Sequence, residues 1–325
     1  MNPDLIYRLG DPHLGRRFIK GVPLDRRGER ETLVRSDFIT HLAGPKELAV
    51  HITMGDLFDA PQVSYADVQF AYRTYRNAAA IRPGVTYYIL QGNHDDSRDL
   101  GEVTAWDLFC DLVEHIPNVK PVTDVLVGPH FTLFPWDPIE TAEAMVEKAA
   151  WLIREQGCTI AYGHWDVDPR TSGHNLIPTK ALAMAGIRQA YTGHVHLPTT
   201  FNRDGVHVDV VGSMQPYAQG EDGGQGHIRY VTLSLAELET AGDLSNTVVR
   251  LRLAPGEQFD AEPPACLSWN VERIGGPAED APADISMEGF DTRAAARDAL
   301  DAHSIIPEVR AQIDERLSEV FGRDG

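Results

Sequence analysis

Short apolar runs recur along the chain up to residue 192, and each run ends in a cluster of polar residues. The runs are LIYRL (5–9), LAVHITM (48–54), VTYYIL (85–90), CTIAY (158–162) and QAYT (189–192). Apolar runs of this length, bounded by Gly and polar residues, predict buried strands. Residues 63–81 and 142–156 carry apolar side chains at helical spacing. This alternation predicts a layered α/β domain.

The segments after residue 192 predict the end of this domain and a smaller second one. HVDVVGS (207–213) and HIRYVTLSL (227–235) have the pattern of further strands, so we expect a first domain over residues 1–235. NTVVRLRLAPGE (246–257) and CLSWNVERI (266–274) predict strands of a C-terminal domain over residues 236–325. A linker rich in Pro, Gly and acidic residues (275–284) precedes a predicted terminal helix from Pro307 to Phe321.

Composition is that of a globular protein. The chain has 325 residues, 42% of them hydrophobic, which is enough for a large core. We find no apolar run of about 18 residues and no apolar signal core, so we expect no contact with a membrane. Cys110, Cys158 and Cys266 are odd in number and far apart, which favours free thiols. The expected location is the bacterial cytoplasm, with a phage origin left open.

Charge is distributed unevenly along the chain. The net charge of −19 argues against a general nucleic-acid binder, and the acidic residues are concentrated after residue 256. Between Arg8 and Arg35, however, eight basic residues stand against four acidic ones. Arg16, Arg17 and Lys20 follow directly on polar residues that can bind metal, where they could hold a polyanion. Surface charge on a loop is the alternative interpretation.

Five short polar motifs follow the predicted strands. They are Asp11-x-His13, Gly55-Asp56-x-x-Asp59, Gly92-Asn93-His94-Asp95, Gly163-His164 and Gly193-His194-x-His196. One such motif alone is weak evidence, since a lone Asp or His after a strand is usually a turn or capping residue. Together they offer carboxylate, imidazole and amide ligands for two ions, a set that suits Mn²⁺, Fe or Zn²⁺. The preceding glycines would allow a sharp turn at the strand end.

This ordered set resembles the signature of calcineurin-like metallophosphoesterases. The resemblance runs from residue 11 to residue 196 and implies a four-layer α/β fold, a β-sandwich flanked by helices, with two metal ions at the strand ends. It implies one ion on Asp11, His13 and His196, a second on Asn93, His164 and His194, and Asp56 bridging both. His94 would act on the leaving group and Asp59 would orient it.

The ligand from the fourth motif is open between two histidines. His174 lies ten residues after His164 and could supply the same bond. We favour His164 because it directly follows a predicted strand, as the other ligands do.

Three segments are similar to the SbcD nuclease family: DPHLGRRFIKGVPLDRRGER (11–30), GDLFDAP (55–61) and VGSMQPYAQGED (211–222). That resemblance implies a DNA nuclease with a capping domain, a helix that docks on an SbcC-type ATPase, and a homodimer. Only about 90 residues follow residue 235, and they are strongly acidic, so the cap would be short and poor at gripping DNA. The apolar stripe of the predicted terminal helix could dock on the ATPase or pack on this chain.

The leading hypothesis is therefore an enzyme, a two-metal phosphodiester hydrolase. In its finer form it is an Mn²⁺-dependent DNA exonuclease or endonuclease of the SbcD type, acting in recombination, repair or phage replication. Fe, Zn²⁺ and Mg²⁺ remain open as the bound ions. The rival enzyme is a phosphodiesterase for cyclic or small nucleotides, which the acidic composition favours. A non-catalytic scaffold is disfavoured because every expected ligand is present.

Overall fold

A computed structural model describes residues 5–97, 99, 101–170, 173–221, 226–274 and 310. The chain divides into two compact units, residues 1–274 and residues 275–325. The predicted acidic linker and, apart from Arg310, the predicted terminal helix lie outside the described residues. The three sheets formed by the described residues all belong to the first unit.

The first sheet has four parallel strands in the order β1-β2-β3-β4. Its strands are β1 (Ile6–Leu9), β2 (Val50–Thr53), β3 (Thr86–Leu90) and β4 (Val119–Val122). Each crossover between them is a helix: α1 (Glu29–Ala43), α2 (Tyr65–Ile81) and α3 (Ala105–Val113). Because all four strands run in the same direction, their carboxyl ends lie along one edge.

The second sheet has six strands in the order β5-β6-β7-β8-β10-β9. They are β5 (Leu126–Val127), β6 (Thr132–Phe134), β7 (Ile160–Gly163), β8 (Gln189–Thr192), β9 (Thr199–Arg203) and β10 (Val206–Val210). The four central strands are parallel, and β5 and β9 pair antiparallel at the two edges. Helices α4 (Ala142–Gln156) and α5 (Thr179–Ala185) connect the parallel strands β6, β7 and β8.

The two sheets pack face to face. Buried side chains of the first sheet, such as Ile52 and Leu90, share one core with Leu133 and Tyr162 of the second. The outer face of the first sheet is covered by α1, α2 and α3, and that of the second by α4 and α5. The order of layers is helix, sheet, sheet, helix. This arrangement confirms the predicted four-layer α/β sandwich.

A third sheet completes the unit. Its three strands are all parallel and lie in chain order: β11 (Arg229–Leu233), β12 (Thr247–Leu253) and β13 (Ser268–Arg273). A short helix, α6 (Leu235–Thr240), connects the first two. The sheet joins strands from both sides of residue 235, and Tyr230, Val248 and Leu267 share a core with α1, α2 and α3. The domain boundary expected near residue 235 stays a prediction.

Segment 16–20 is anchored to this third sheet. The Trp269 N–H donates to the carbonyl of Gly21 at 2.8 Å, and the Ser268 hydroxyl donates to the carbonyl of Lys20 at 2.9 Å. The basic stretch after Asp11 is thereby held between the first sheet and β13.

No helix within the described part of the chain is long and apolar enough to cross a membrane.

Candidate metal centre

The predicted ligands all follow the carboxyl ends of parallel strands. Asp11 and His13 follow β1, Asp56 follows β2, and Asn93 follows β3, directly before the predicted catalytic residue His94. From the second sheet, His164 follows β7, and His194 and His196 follow β8. Since the two sheets present these ends at one edge of the sandwich, residues 183 positions apart meet there.

Among the residues that the structure describes, three overlapping groups of side chains could each hold a metal ion. The groups are Asp11 with His13 and His196, His13 with Asp56 and His94, and Asp56 with His164 and His194. Within each group the candidate ligand atoms lie within 4.8 Å of one another. His13 and Asp56 each belong to two groups. The structure therefore brings together the residues for which we predict metal binding, and that role stays a prediction.

Asp56 connects the two ends of this cluster, and Asn93 lies at one of them. Asn93 Oδ1 lies 3.0 Å from His164 Nε2 and 2.8 Å from His194 Nδ1. Asp56 Oδ2 lies 3.4 Å from His164 Nε2 and 3.8 Å from His13 Nε2. Asp56 thus faces both sets of ligands, which is the position that a bridging carboxylate needs.

The donor atoms fit a divalent cation. His13 Nε2 and His196 Nε2 lie 3.0 Å apart, so two imidazole nitrogens converge on the same point. Asp11 Oδ1 is buried and, among the described residues, has no hydrogen-bond partner. Buried carboxylate oxygens usually have a partner, because leaving one without compensation costs free energy. Mixed oxygen and nitrogen ligands are those of Mn²⁺, Fe or Zn²⁺ sites.

Burial and mutual charge shift the pKa values of this cluster. Desolvation raises the pKa of Asp11 to about 7. Burial also raises the pKa of Asp56, but the charge of His164 outweighs it, and the pKa lies below its ordinary range. Burial lowers the pKa of His164, whereas Asp56 raises it to about 9 as the net result. A metal ion bound by Asp56 and His164 would compete with protons for both side chains.

The glycines next to the predicted ligands leave room for neighbouring groups to pack against the main chain. Only one of them forms a sharp turn. We expected a turn at the glycine before each motif, yet of Gly55, Gly92, Gly163 and Gly193 only Gly55 has a left-handed backbone, with φ of 116°. A Cβ on Gly92 would instead overlap Asp56 Oδ1. The physical reason for a glycine at position 92 is the space that Asp56 needs.

The ring of His94 is oriented by a main-chain group of Asp59. His94 Nδ1 lies 2.7 Å from the carbonyl oxygen of Asp59, and the carboxylate of Asp59 contacts Arg16 Nη1 at 3.3 Å instead. A carbonyl can only accept, so Nδ1 carries the proton and Nε2 is the atom free for chemistry. Arg16 attracts the carboxylate because it offers a full charge. Asp59 thus contacts the His94 ring through its backbone oxygen, and its part in catalysis stays a prediction.

His94 lies against the cluster. The backbone N–H of His94 donates to Asp56 Oδ1 at 2.9 Å. The ring of His94 meets the ring of His13 edge-on, with the centroids 4.9 Å apart. The side chain is partly exposed. It therefore stands between the predicted metal ligands and solvent, where a substrate would enter.

Three acidic residues were missed as parts of the centre. Glu221 Oε2 lies 3.2 Å from His196 Nδ1, and Asp166 Oδ2 lies 3.8 Å from His194 Nε2. The buried carboxylate of Asp95 accepts from the N–H groups of Gly92, Leu57 and Phe58, at 2.9–3.2 Å, and so fixes the loops that carry Asp56 and Asn93. Asp95 stands inside the third motif, and Asp166 lies two residues after the fourth. Glu221 lies outside the five motifs, in the segment 211–222 that resembles the SbcD family.

His164 and His174 occupy different places. His164 is fully buried in the cluster, and its Nδ1 lies 2.9 Å from the carbonyl oxygen of Met54. His174 Nε2 lies 2.8 Å from the carbonyl oxygen of Asp137, and His174 is in none of the metal-capable groups formed by the described residues. The geometry favours His164 as the ligand.

The three predicted substrate-binding residues differ in their surroundings. Arg16 contacts Asp59 and lies over the ring of Tyr217 at 5.1 Å. Arg17 pairs with Asp67 at 2.6 Å, an ion pair that Arg35 shares. Lys20 is exposed at the rim of a neighbouring cavity. Arg17 has a structural partner already, and binding of substrate by any of the three stays a prediction.

Two solved structures resemble this chain at low identity. TT1561 of Thermus thermophilus is 13% identical, with a TM-score of 0.43 over 64% of this chain and 89% of that one. Phosphopantetheinyl hydrolase from Mycobacterium tuberculosis is 13% identical, with a TM-score of 0.37 over 66% of this chain and 93% of that one. The sequence matches no protein-family model and no curated protein. Likeness at this level assigns no activity, so the functional argument depends on the site itself.

Proposed function

We propose that this protein is a two-metal phosphodiester hydrolase. The observation that carries the proposal is the overlap of three metal-capable groups at one sheet edge, linked through His13 and Asp56. Seven predicted ligands with oxygen and nitrogen atoms exceed what one ion requires, and a carboxylate stands between the two ends of the cluster.

The residues divide into two sets around Asp56. Asp11, His13 and His196 would hold one ion, and Asn93, His164 and His194 would hold the other. When bound, a pair of divalent ions supplies an activated water and neutralises charge on the phosphoryl oxygens. Glu221 and the carbonyl of Met54 keep the rings of His196 and His164 in place, as partners of metal-binding histidines commonly do.

His94 supplies the proton for the leaving group. Its Nδ1–H is engaged by the carbonyl of Asp59, so its Nε2 presents a proton when the ring is charged. Donation of that proton to the departing alkoxide makes the bond easier to break, an effect of about 10²–10⁴ in rate for a well-placed general acid.

The finer proposal is an SbcD-type nuclease that cleaves DNA with Mn²⁺. The motif resemblance supports it, and so do the basic side chains of Arg16 and Lys20 beside the centre. Its partners would be DNA, an SbcC-type ATPase and a second copy of the chain, and its place of action the cytoplasm. A phosphodiesterase for cyclic or small nucleotides is the second candidate. The net charge of −19 favours it, because an acidic protein repels a long polyanion.

The experiment is Mn²⁺-dependent degradation of end-labelled linear double-stranded DNA, with 2′,3′- and 3′,5′-cyclic nucleotides as separate substrates. We expect DNA cleavage that falls about 10²–10⁴-fold in His94→Ala. His207→Ala is the matched control, since His207 lies on β10 outside the metal-capable groups, with its side chain 43% exposed.

Each outcome separates the candidates. Cleavage of DNA that is lost in His94→Ala and kept in His207→Ala supports the nuclease. Intact DNA with hydrolysis of a cyclic nucleotide overturns the nuclease and supports the second candidate. A protein that binds Mn²⁺ and hydrolyses neither substrate contradicts both.

A further inference from the structure

A cavity of about 620 Å³ lies beside the metal centre, bounded by segment 16–20, segment 217–219 and the third sheet. Its volume is in the range of ligand-binding sites. Arg16 and Tyr217 belong both to the cavity wall and to the surroundings of the centre. The Arg16 guanidinium contacts Asp59, and the ring of Tyr217 lies 4.9 Å from that of His13. The cavity and the metal centre therefore share a wall.

Basic side chains outnumber acidic ones in the lining. The charged residues that face the cavity are Arg16, Arg17, Lys20, Arg30, Arg250 and Glu272. Asp59 and Asp67 neutralise Arg16 and Arg17 from outside the cavity. Among the described residues, no carboxylate lies within 4.0 Å of Lys20 or Arg30. The cavity therefore carries an excess of positive charge.

Arg30 is the most unusual member of this set. It is 5% exposed, and its guanidinium lies 3.4 Å above the ring of Phe18. Its hydrogen bonds go to neutral groups, the hydroxyl of Tyr230 and the carbonyl of Pro216, and its Nε has no partner among the described residues. A buried guanidinium without a counter-anion is costly. A bound anion in the cavity would remove that cost.

Arg250 faces the same space from strand β12. Its Nη1 lies 3.8 Å from Glu272 Oε2, a loose contact, because the same carboxylate oxygen is engaged more closely by Arg252 at 3.1 Å. Arg250 thus retains most of its capacity to bind an anion. Arg30 and Arg250 approach the cavity from two different elements, α1 and β12, which gives an anion donors on two sides.

We propose that this cavity binds a phosphate group of the substrate next to the one that is cleaved, with Arg30 and Arg250 as its principal ligands. The inference rests on the proposed function, since it assumes that a phosphodiester lies at the neighbouring metal centre. It narrows the substrate class to nucleotide chains that carry at least two phosphates. A cyclic mononucleotide, with one phosphate, cannot fill both places.

The kinetic test compares two substrates that differ by one phosphate, thymidine dinucleotide with and without a 5′-phosphate, in the presence of Mn²⁺. For the wild type we expect kcat/KM to be about tenfold higher with the additional phosphate, the effect of one charged hydrogen bond. Arg250→Gln should abolish this preference. Arg252→Gln is the matched control, because Arg252 shares Glu272 but does not line the cavity.

A binding test without metal separates this proposal from the hydrolase itself. Calorimetry in EDTA with the 5′-phosphorylated dinucleotide should show binding that weakens about tenfold in Arg250→Gln and in Arg30→Gln and is retained in Arg252→Gln. Circular dichroism checks whether Arg30→Gln folds. If Arg30→Gln does not fold, the result for Arg250→Gln alone tests the phosphate site.

The outcomes are distinct. Equal affinity of Arg250→Gln and Arg252→Gln, or no preference of the wild type for the phosphorylated substrate, overturns the phosphate site. Binding in EDTA that depends on Arg250, without cleavage of DNA, of a cyclic nucleotide or of either dinucleotide in Mn²⁺, supports the phosphate site and overturns the proposed hydrolase.

Discussion

Three side chains of the metal centre stand on left-handed backbone. His13, Asp56 and His194 have φ values of 45°, 47° and 69°. Such conformations cost about 1–3 kcal/mol each for residues other than Gly, and they persist where surrounding contacts enforce them. The N–H of His13 donates to the carbonyl of Asp56 at 3.0 Å, and that of His194 donates to Asp11 Oδ2 at 2.8 Å. The left-handed backbone at these three residues directs their side chains into the same cluster.

The choice between His164 and His174 gives a prediction at this scale. His164→Ala removes an imidazole from the buried cluster, so we expect one Mn²⁺ ion fewer per chain and a loss of activity of at least about 10²-fold. His174→Ala is the matched control and should keep both. Metal content after dialysis, measured by mass spectrometry, checks this. Loss of metal in His174→Ala alone would reverse the assignment.

A second prediction concerns Gly92. In Gly92→Ala the new methyl group would overlap both the backbone nitrogen and Oδ1 of Asp56, so the residue between the two ligand sets must move. We expect kcat to fall about 10²-fold, because small displacements at a reacting centre cost that much. Gly84→Ala is the control, since a Cβ at Gly84 meets nothing within 4 Å. Unchanged kcat in Gly92→Ala would contradict the placement of Asp56.

The convergence of the predicted ligands could be anticipated from the sequence, because these residues directly follow strands in short motifs. The contacts of Glu221 with His196 and of Arg30 with Tyr230 could not, since they join residues far apart in the sequence. The role of Asp59 was predicted for its side chain, yet only the fold shows that Arg16 takes the carboxylate and leaves the carbonyl for His94.

At the scale of elements, the first turn of α2 ties the basic segment to the sandwich. Asp67 is 2% exposed and accepts from the hydroxyl of Ser64, the residue that caps the helix. It also pairs with Arg17 and Arg35, each at 2.6 Å. One buried carboxylate thereby fixes the start of α2, helix α1 and the segment after the first motif.

This network predicts a pH-dependent stability. Burial raises the pKa of Asp67, but Ser64 and the two arginines outweigh it, so the pKa in the folded protein lies below its ordinary value. The ionised Asp67 contributes fully to the free energy of unfolding above the ordinary pKa of an aspartate, roughly 4. This contribution is lost as pH falls through the pKa of Asp67 in the folded protein. Asp67→Asn should lower the free energy of unfolding by about 2 kcal/mol at pH 7.

Urea unfolding at pH 7 and below pH 4 measures the difference in free energy of unfolding between wild type and Asp67→Asn. This difference should be smaller at the lower pH. The control is Asp111→Asn, an exposed position on α3, which should change stability by less than about 0.5 kcal/mol. A difference between wild type and Asp67→Asn that stays constant with pH would contradict the ionised network.

The elements that the sequence reveals most clearly are the strands before each motif and helices α2 and α4, where apolar periodicity is regular. Helix α1 was missed because its buried face includes Arg30 and Asp37 as well as Val34 and Phe38. Asp37 accepts from Gln215 at 2.9 Å and contacts His227 at 2.6 Å. Because these charged side chains are buried to make distant contacts, the hydrophobic residues of α1 do not show a clear helical period.

At the scale of the whole molecule, the centre and its supports belong to one compact unit. Residues 1–274 contain the two sheets of the sandwich and the third sheet. The three buried clusters formed by the described residues all lie there. The four-layer sandwich was predictable from a resemblance between motifs. The packing of the third sheet against segment 16–20 was not, because it depends on contacts between positions about 250 residues apart.

A chain of residues 1–274 should therefore fold and bind Mn²⁺ with the stoichiometry of the complete chain. Its melting transition should be cooperative, since the buried clusters of the first unit are retained. Differential scanning calorimetry and metal analysis check this, with the complete chain as reference. A truncated chain that melts without a cooperative transition would show that the unit depends on residues 275–325.

The central claim is that two metal ions share Asp56. Anomalous diffraction near the manganese edge, from crystals grown with Mn²⁺, tests it most directly. The account predicts two anomalous peaks, one among Asp11, His13 and His196, the other among Asn93, His164 and His194, with Asp56 in contact with both. A single peak, or none within this cluster, would contradict it.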